Sequence, residues 1–329
     1  MALADKLISP QAYLRSQTRW RPAEIVFWAA ALSPYFLFPN YLSLASQIAV
    51  SALFALSLDL ILGYAGIVSL GHAAFFGIGA YTAGLLSKYG WGEPLSGLAL
   101  AALAAGIVGY ATSFVICRFR HLALIMLTTG FGLLLAELAN SAGWLTGGMD
   151  GLQGIHTWNL LGYFHFDLYG RTAYGYALAV LFVLFLLARR IIHSPFGLAL
   201  RGIRENLTRM PAIGAPSLAH MRTIHAIAAA IAGVAGAILA QTTETVSLDS
   251  LGFERSAEVV VMLVLGGAGR LYGGLVGAAI FMIARDRFSG VEPQYWYFWI
   301  GILLVAVVIF LPNGILGGLA KLTARWSRS

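Results

Sequence analysis

Charge is scarce in this 329-residue chain: 11% of its residues are Asp, Glu, Lys or Arg, while 59% are hydrophobic. Soluble domains carry about 25% charged residues, and a water-soluble fold of this length has too much surface to hide so many apolar side chains. A soluble enzyme or binding module is excluded, whereas a bilayer is itself the apolar solvent. Cysteine is reduced to one residue, Cys117. That rules out an internal disulfide and a Cys-based zinc site, and within its apolar run the residue reads as a packed thiol. The 7 histidines lack metal-ligand spacing; His220 and His225, for example, diverge on a helix. No metal site is expected. No Gly-x-x-x-x-Gly-Lys-Ser/Thr loop occurs, so no bound cofactor is expected on this chain, and energy for transport must come from another chain or an ion gradient. No nucleophile–base or paired-carboxylate pattern appears, so no catalytic residue is nominated.

What is present is apolar sequence in long runs, with 38 glycines, roughly 12% against a usual level of about 7%. Backbone groups in hydrocarbon must satisfy one another, so the runs read as helices. They lie near 24–41, 44–62, 66–87, 95–117, 122–142, 172–190, 221–240, 256–268, 271–285 and 295–312. The expected fold is all-α and polytopic, with about 8–10 transmembrane helices. The runs at 256–268 and 271–285 are short for spans at about 1.5 Å per residue and read equally as one broken or re-entrant element.

The net charge of +7 is explained by orientation rather than by nucleic acid, because cytoplasmic loops collect Lys and Arg. With the N-terminus inside, 16 Lys and Arg fall inside and 5 outside, together the 21 of the chain. Both termini are therefore expected in the cytoplasm: a tail over 1–23, a membrane domain over 24–318 and a second tail over 319–329. The polar, basic start reads as a tail before an uncleaved first span. Arg285 and Arg287 fit this layout least well. Trp91, Trp144, Tyr295, Trp296 and Trp299 read as interfacial anchors in contact with membrane lipid.

Two Gly-rich segments, Gly63–Gly84 and Leu265–Ala278, fall in the third and eighth runs. Five spans separate them, an odd number that inverts topology, which suits two inverted five-span halves. Paired Gly-interrupted segments at matching places point toward a transport path, and equally toward helices packed through small residues. The candidates are Gly66, Ser69, His72, Gly77, Gly79, Tyr81, Gly266, Gly267 and Gly269. Residues 143–171 form an external loop, with Thr146-Gly-Gly-Met-Asp-Gly-Leu152 as a partner contact, a gate or a plain connector.

Within 194–214, Ser194 before Pro195 makes a helix start. Leu198, Ile203, Leu207 and Met210 form an apolar stripe, with Arg201, Arg204 and Glu205 as a charged rim. Pro211 stops this helix and Gly214 turns the chain. Such a helix either docks in a groove on a partner or lies on headgroups. Three acidic residues inside runs, Asp59, Glu137 and Glu258, are candidates for pairing or for transport.

Gly63-Tyr-Ala-Gly-Ile-Val-Ser-Leu-Gly-His-Ala-Ala-Phe-Phe-Gly-Ile-Gly-Ala-Tyr81 resembles the signature of the LivM-type permeases of branched-chain amino-acid ABC importers. Arg201-Gly-Ile-Arg-Glu-Asn206…Gly214 is similar to that family's coupling loop, and Thr146–Leu152 and Glu258–Gly269 match it in kind and order. The resemblance spans roughly 40–318. Arg270, Gly274 and Pro211 depart from its pattern, which has Thr, Pro and Ala there, and Arg222 and His225 make the seventh run more polar. The resemblance implies a non-enzymatic transport subunit in a bacterial inner membrane, carrying branched-chain amino acids. It implies as partners a LivH-type permease, two ATP-binding subunits that hold ATP and magnesium, and a periplasmic substrate-binding protein. It assigns ATPase coupling to Arg201, Arg204, Glu205, Asn206 and Gly214, and a structural hydrogen bond to His72. Urea, amides or aromatic acids remain alternative cargoes, and a stand-alone secondary transporter an alternative class.

Overall fold

The computed structural model describes residues 20, 22–160, 162–165, 170–311 and 313–318; most of the expected N-terminal tail and all of the C-terminal one lie outside these. Each apolar run meets a helix. These are α1 (Pro22–Leu37), α2 (Leu42–Asp59), α3 (Ala73–Lys88), α4 (Pro94–Ile116), α5 (His121–Ser141), α6 (Arg171–Ile192), α7 (Pro195–Glu205, between runs), α8 (Ser217–Thr243), α9 (Phe253–Gly266), α10 (Leu271–Val291) and α11 (Trp296–Phe310). The described residues contain isolated β-bridges but no strand. The chain is an all-helical, polytopic membrane protein. Among the described residues six helices are long and apolar enough to cross a bilayer, or seven if α9 and α10 make one bent span. The shorter α1 and α3 have 16 residues each, about 24 Å of helix.

Two expectations from the runs are corrected. The third run does not become helical until Ala73: residues 65–72 are irregular. Such backbone survives at membrane depth only where protein satisfies it. Here Ile67 N–H donates to Ile61 O over 2.9 Å, Leu70 N–H to Thr128 Oγ1 over 3.3 Å, and Ala73 N–H to Ser256 Oγ over 2.9 Å. The second correction is the end of the helix read over 271–285: α10 continues to Val291, while the 113° bend between α9 and α10 is the broken or re-entrant element the sequence allows.

α8 packs along α3 and α4, while α2 packs along α9 and α10. In each half of the chain, then, the second apolar helix lies against the third and fourth of the other half. The third helix of each half is short and follows a non-helical entry, at 65–72 before α3 and at 244–252 before α9, where Leu248–Leu251 forms one 3-10 turn. These entries and helix starts meet inside the bundle: Gly77 of α3 faces Leu251 and Ser250, and Ser256 of α9 caps Ala73. At Gly79 and Gly233 the α3 and α8 backbones approach so closely that a Cβ on Gly79 would collide with Gly233 main-chain atoms. Small residues permit this close approach between membrane helices.

Connections sort onto two ends. At one end Arg189 and Glu24 form an ion pair, and α7, the Gly63–Gly66 turn and the Gly267–Arg270 bend come together. At the other, Leu152 and Val246 exchange backbone hydrogen bonds of 2.7 and 3.1 Å. There Trp158 N–H donates to Gly92 O over 2.8 Å, and Ser87 Oγ–H donates to His156 O over 2.7 Å.

Candidate functional site

At the first of these ends α7 begins as expected: Ser194 accepts from Gly197 N–H, and Pro195 opens the helix. The rest of the segment differs from the sequence reading in part: Ile203 is buried and Leu207 and Met210 pack against the core as the stripe requires. The buried face is Gly197, Leu200 and Ile203, and Leu198 is exposed. The helix stops at Glu205, not at Pro211. Asn206 ends it because its Oδ1 accepts from Thr208 N–H and Arg209 N–H, both at 3.1 Å, starting a separate turn, Arg209–Ala212. Met210 folds back against Gly202, and Gly214 takes the left-handed conformation (φ 86°) that a side chain disfavours.

Arg204 is not merely part of a rim. Its Nη1 donates to the carbonyl of Gly63, four residues after Asp59 and one helical turn further along. Asp59 is fully buried, and its Oδ1 accepts from Gly269 N–H over 2.7 Å. A Cβ on Gly269 (φ 79°) would lie 3.0 Å from Arg204 Nη1 and 3.1 Å from Gly63 O. One joint therefore ties α7, the end of α2 and the α9–α10 bend. Directly after α2 the joint contains a π-helical turn, Leu60–Tyr64, a type of irregularity often found at functional sites. Arg201 stands 5.3 Å from the Tyr64 ring, and Gly66 touches the Arg204 stem. A groove of about 320 Å³ beside the joint is lined by Gly66, Val68, Phe119, Arg120, His121 and Arg204, among others. Glu205 and Asn206 are exposed.

The other candidates do not gather in one place. His72 is buried, stacks on Phe54 at 5.5 Å, and has Nε2 2.9 Å from Ser57 Oγ; Ser57, on α2, was not singled out from the sequence. Ser69 is buried. Gly77 and Gly79 are packing contacts with Leu251 and Gly233, Gly266 packs on Gly273, and Gly267 on Asn313. Tyr81 is buried farther along α3. Of the acids, Glu137 is exposed on α5 with no ion pair among the described residues. Glu258 pairs with Arg255 at 3.1 Å and with Arg285 at 3.4 Å, which explains why Arg285 fits the charge layout poorly. A polar bridge at the opposite end also escaped the sequence reading: Gln241 accepts from Tyr176 Oη–H over 2.7 Å and donates to Pro94 O over 2.9 Å. A lone Gln in an apolar run carries no sign of its partners.

Residues 40–308 match the family model described as the branched-chain amino acid transport system / permease component. The chain belongs to that permease family. This family member is 27% identical over 304 residues to the high-affinity branched-chain amino acid transport system permease protein LivM of Salmonella typhimurium, covering 86% of this chain and 71% of that one. It is 24% identical over 313 residues to a probable branched-chain amino acid transport permease protein LivM of Methanocaldococcus jannaschii, covering 80% and 89%. A shorter similarity, 30% over 128 residues, links it to the permease protein LivH of Escherichia coli, covering 39% of this chain and 41% of that one. No solved structure matches the chain. It is thus a multi-pass permease and a transport subunit.

Proposed function

We propose that this permease imports branched-chain amino acids through a bacterial inner membrane as one half of an ABC importer channel, with both termini in the cytoplasm. The reading is carried by the joint of Arg204 with Gly63, where a short helix outside the bundle holds a π-turn and a bend inside it. A partner ATPase that moves α7 would shift α2 and the α9–α10 bend together through Arg204, Asp59 and Gly269. The LivM relatives support the cargo, and the partial similarity to LivH supports a second, related permease across the path. ATP and magnesium belong to two ATP-binding subunits, and a periplasmic substrate-binding protein delivers the amino acid. Neither Glu258, held by two arginines, nor Asp59, held by a backbone N–H, favours a proton-driven transporter.

The test is ATP-driven uptake of labelled leucine by the assembled complex in proteoliposomes. The double variant Arg204→Ala, Glu205→Ala should insert and assemble yet lose uptake. Wild-type uptake by that variant refutes the coupling role, and gradient-driven uptake by this chain alone refutes the importer.

A further inference from the structure

Two guanidiniums share one carboxylate where α9 faces α10. Glu258 holds Arg255 on its own helix at 3.1 Å and Arg285, from beyond the bend, at 3.4 Å. The Glu258 side chain is 11% exposed, Arg255 23% and Arg285 37%. Among the described residues neither arginine has a second carboxylate within ion-pair distance; Asp249, Glu254 and Asp286, the neighbouring acids along the chain, are exposed and make no ion pair. Within ion-pair distance the network thus holds one more positive than negative charge, on two partly exposed guanidiniums.

Resting on the importer reading above, we propose that the Glu258–Arg285 pair receives the charged head of a zwitterionic amino acid. The ligand carboxylate takes the Arg285 guanidinium and the ligand ammonium takes Glu258, so that the ligand inserts into the ion pair. Each protein group exchanges one ion partner for another, and no net charge enters the low-dielectric site. A molecule with only an ammonium or only a carboxylate leaves one protein group uncompensated. The asymmetry of the triad selects the pair that opens. The Arg255 contact is shorter, more buried and within one helix, so it keeps Glu258 oriented. The Arg285 contact is longer and more exposed, and it spans two helices related by the 113° bend. Trp296, 5.1 Å from the Arg285 guanidinium, supports that group by a cation–π contact while it changes partner. Beside Glu258 and Arg255 a void of about 10 Å³, walled also by Ser51, Val50, Phe54, Phe76 and Met262, has room for no more than a water, so the ligand's side chain lies outside it.

Trp296 also supplies the readout. L-leucine titrated into the purified complex of permeases and ATPases, without binding protein, should change tryptophan emission saturably, and Trp296→Phe should remove the change. Leucinamide and 4-methylpentanoate, each lacking one charge, should need at least about tenfold higher concentrations, the scale of one charge-assisted hydrogen bond. Arg285→Gln should weaken the leucine response by a similar factor and slow leucine import, while ATP hydrolysis stimulated by the binding protein persists; Arg285→Lys should restore part of both. No Trp296-dependent change, equal potency of the two analogues, or wild-type import by Arg285→Gln overturns the assignment. If the wild-type complex imports no amino acid, the importer reading itself fails; if it imports leucine and Arg285→Gln does so equally, only the head-group receptor fails.

Discussion

Replacing Gly79 by alanine adds one methyl group at the contact between α3 and α8. The new Cβ would overlap the main-chain Cα, C and O of Gly233, none of which can rotate away as a side chain does. Nor can α8 retreat, because Gly233 is backed on its other side by Ala101 and Ala105 of α4, which a Cβ on Gly233 would also strike. Overpacking a well-filled core costs about 1–3 kcal/mol, and an obstacle made of backbone on both sides puts this variant toward the upper end. Gly130 on α5 is the control, since a Cβ there meets no atom within 4 Å. Alanine at that position gains up to about 1 kcal/mol from helix propensity. The two chemically identical substitutions should therefore differ by about 3 kcal/mol, in opposite directions from wild type. Thermal unfolding of the purified protein in one detergent, followed by gel filtration after heating, reads the order directly. Gly79→Ala melting with wild type, or below it by no more than Gly130→Ala, would refute the claim that α3 and α8 meet backbone to backbone.

Three further outcomes follow from single contacts. Asp59→Asn keeps an oxygen for Gly269 N–H and should melt close to wild type, whereas Asp59→Ala leaves that N–H without its acceptor and should cost about 1–3 kcal/mol; equal melting of the two would show that the hydrogen bond at the bend is dispensable. Leu152→Cys with Val246→Cys, in a Cys117→Ala background, should oxidise readily, because the two residues exchange both backbone hydrogen bonds at a Cα separation of about 5.5 Å, within disulfide reach; failure to cross-link would separate the two loops. Met149→Cys and Arg209→Cys, both at exposed positions, should react with an impermeant maleimide from opposite sides of the membrane, and labelling of both from one side would overturn the two-ended arrangement.

The class of fold was legible because hydrocarbon leaves a spanning backbone few options, and apolar length is something a sequence displays openly. The cap at Ser194 and the turn at Gly214 were legible for a related reason, since each rests on neighbours close in the chain. Residues 65–72 were not. Ile67, Val68 and Leu70 are as apolar as any helix, and what releases them from helical form is Thr128 on α5 and Ser256 on α9. The second contact of Arg204 was illegible for the same reason: the residue is exposed, as a rim arginine should be, but the Gly63 carbonyl it reaches lies 141 residues away in sequence. Glu258 was marked as an acid inside an apolar run, for pairing or transport, but nothing local shows that Arg285, across a bend, is its second partner.

The exchange of second helices between the halves has a consequence for how the protein is made. When the ribosome has released α1 to α5, the apolar and glycine-lined faces of α3 and α4 still await α8, whose sequence is more than 70 residues further on. The first half must wait in the bilayer with its small-residue seam open. Insertion can proceed helix by helix, but assembly cannot finish domain by domain. A truncation after α5 should therefore be a substrate for membrane quality-control proteases, and co-expression of the two halves as separate chains should rescue it.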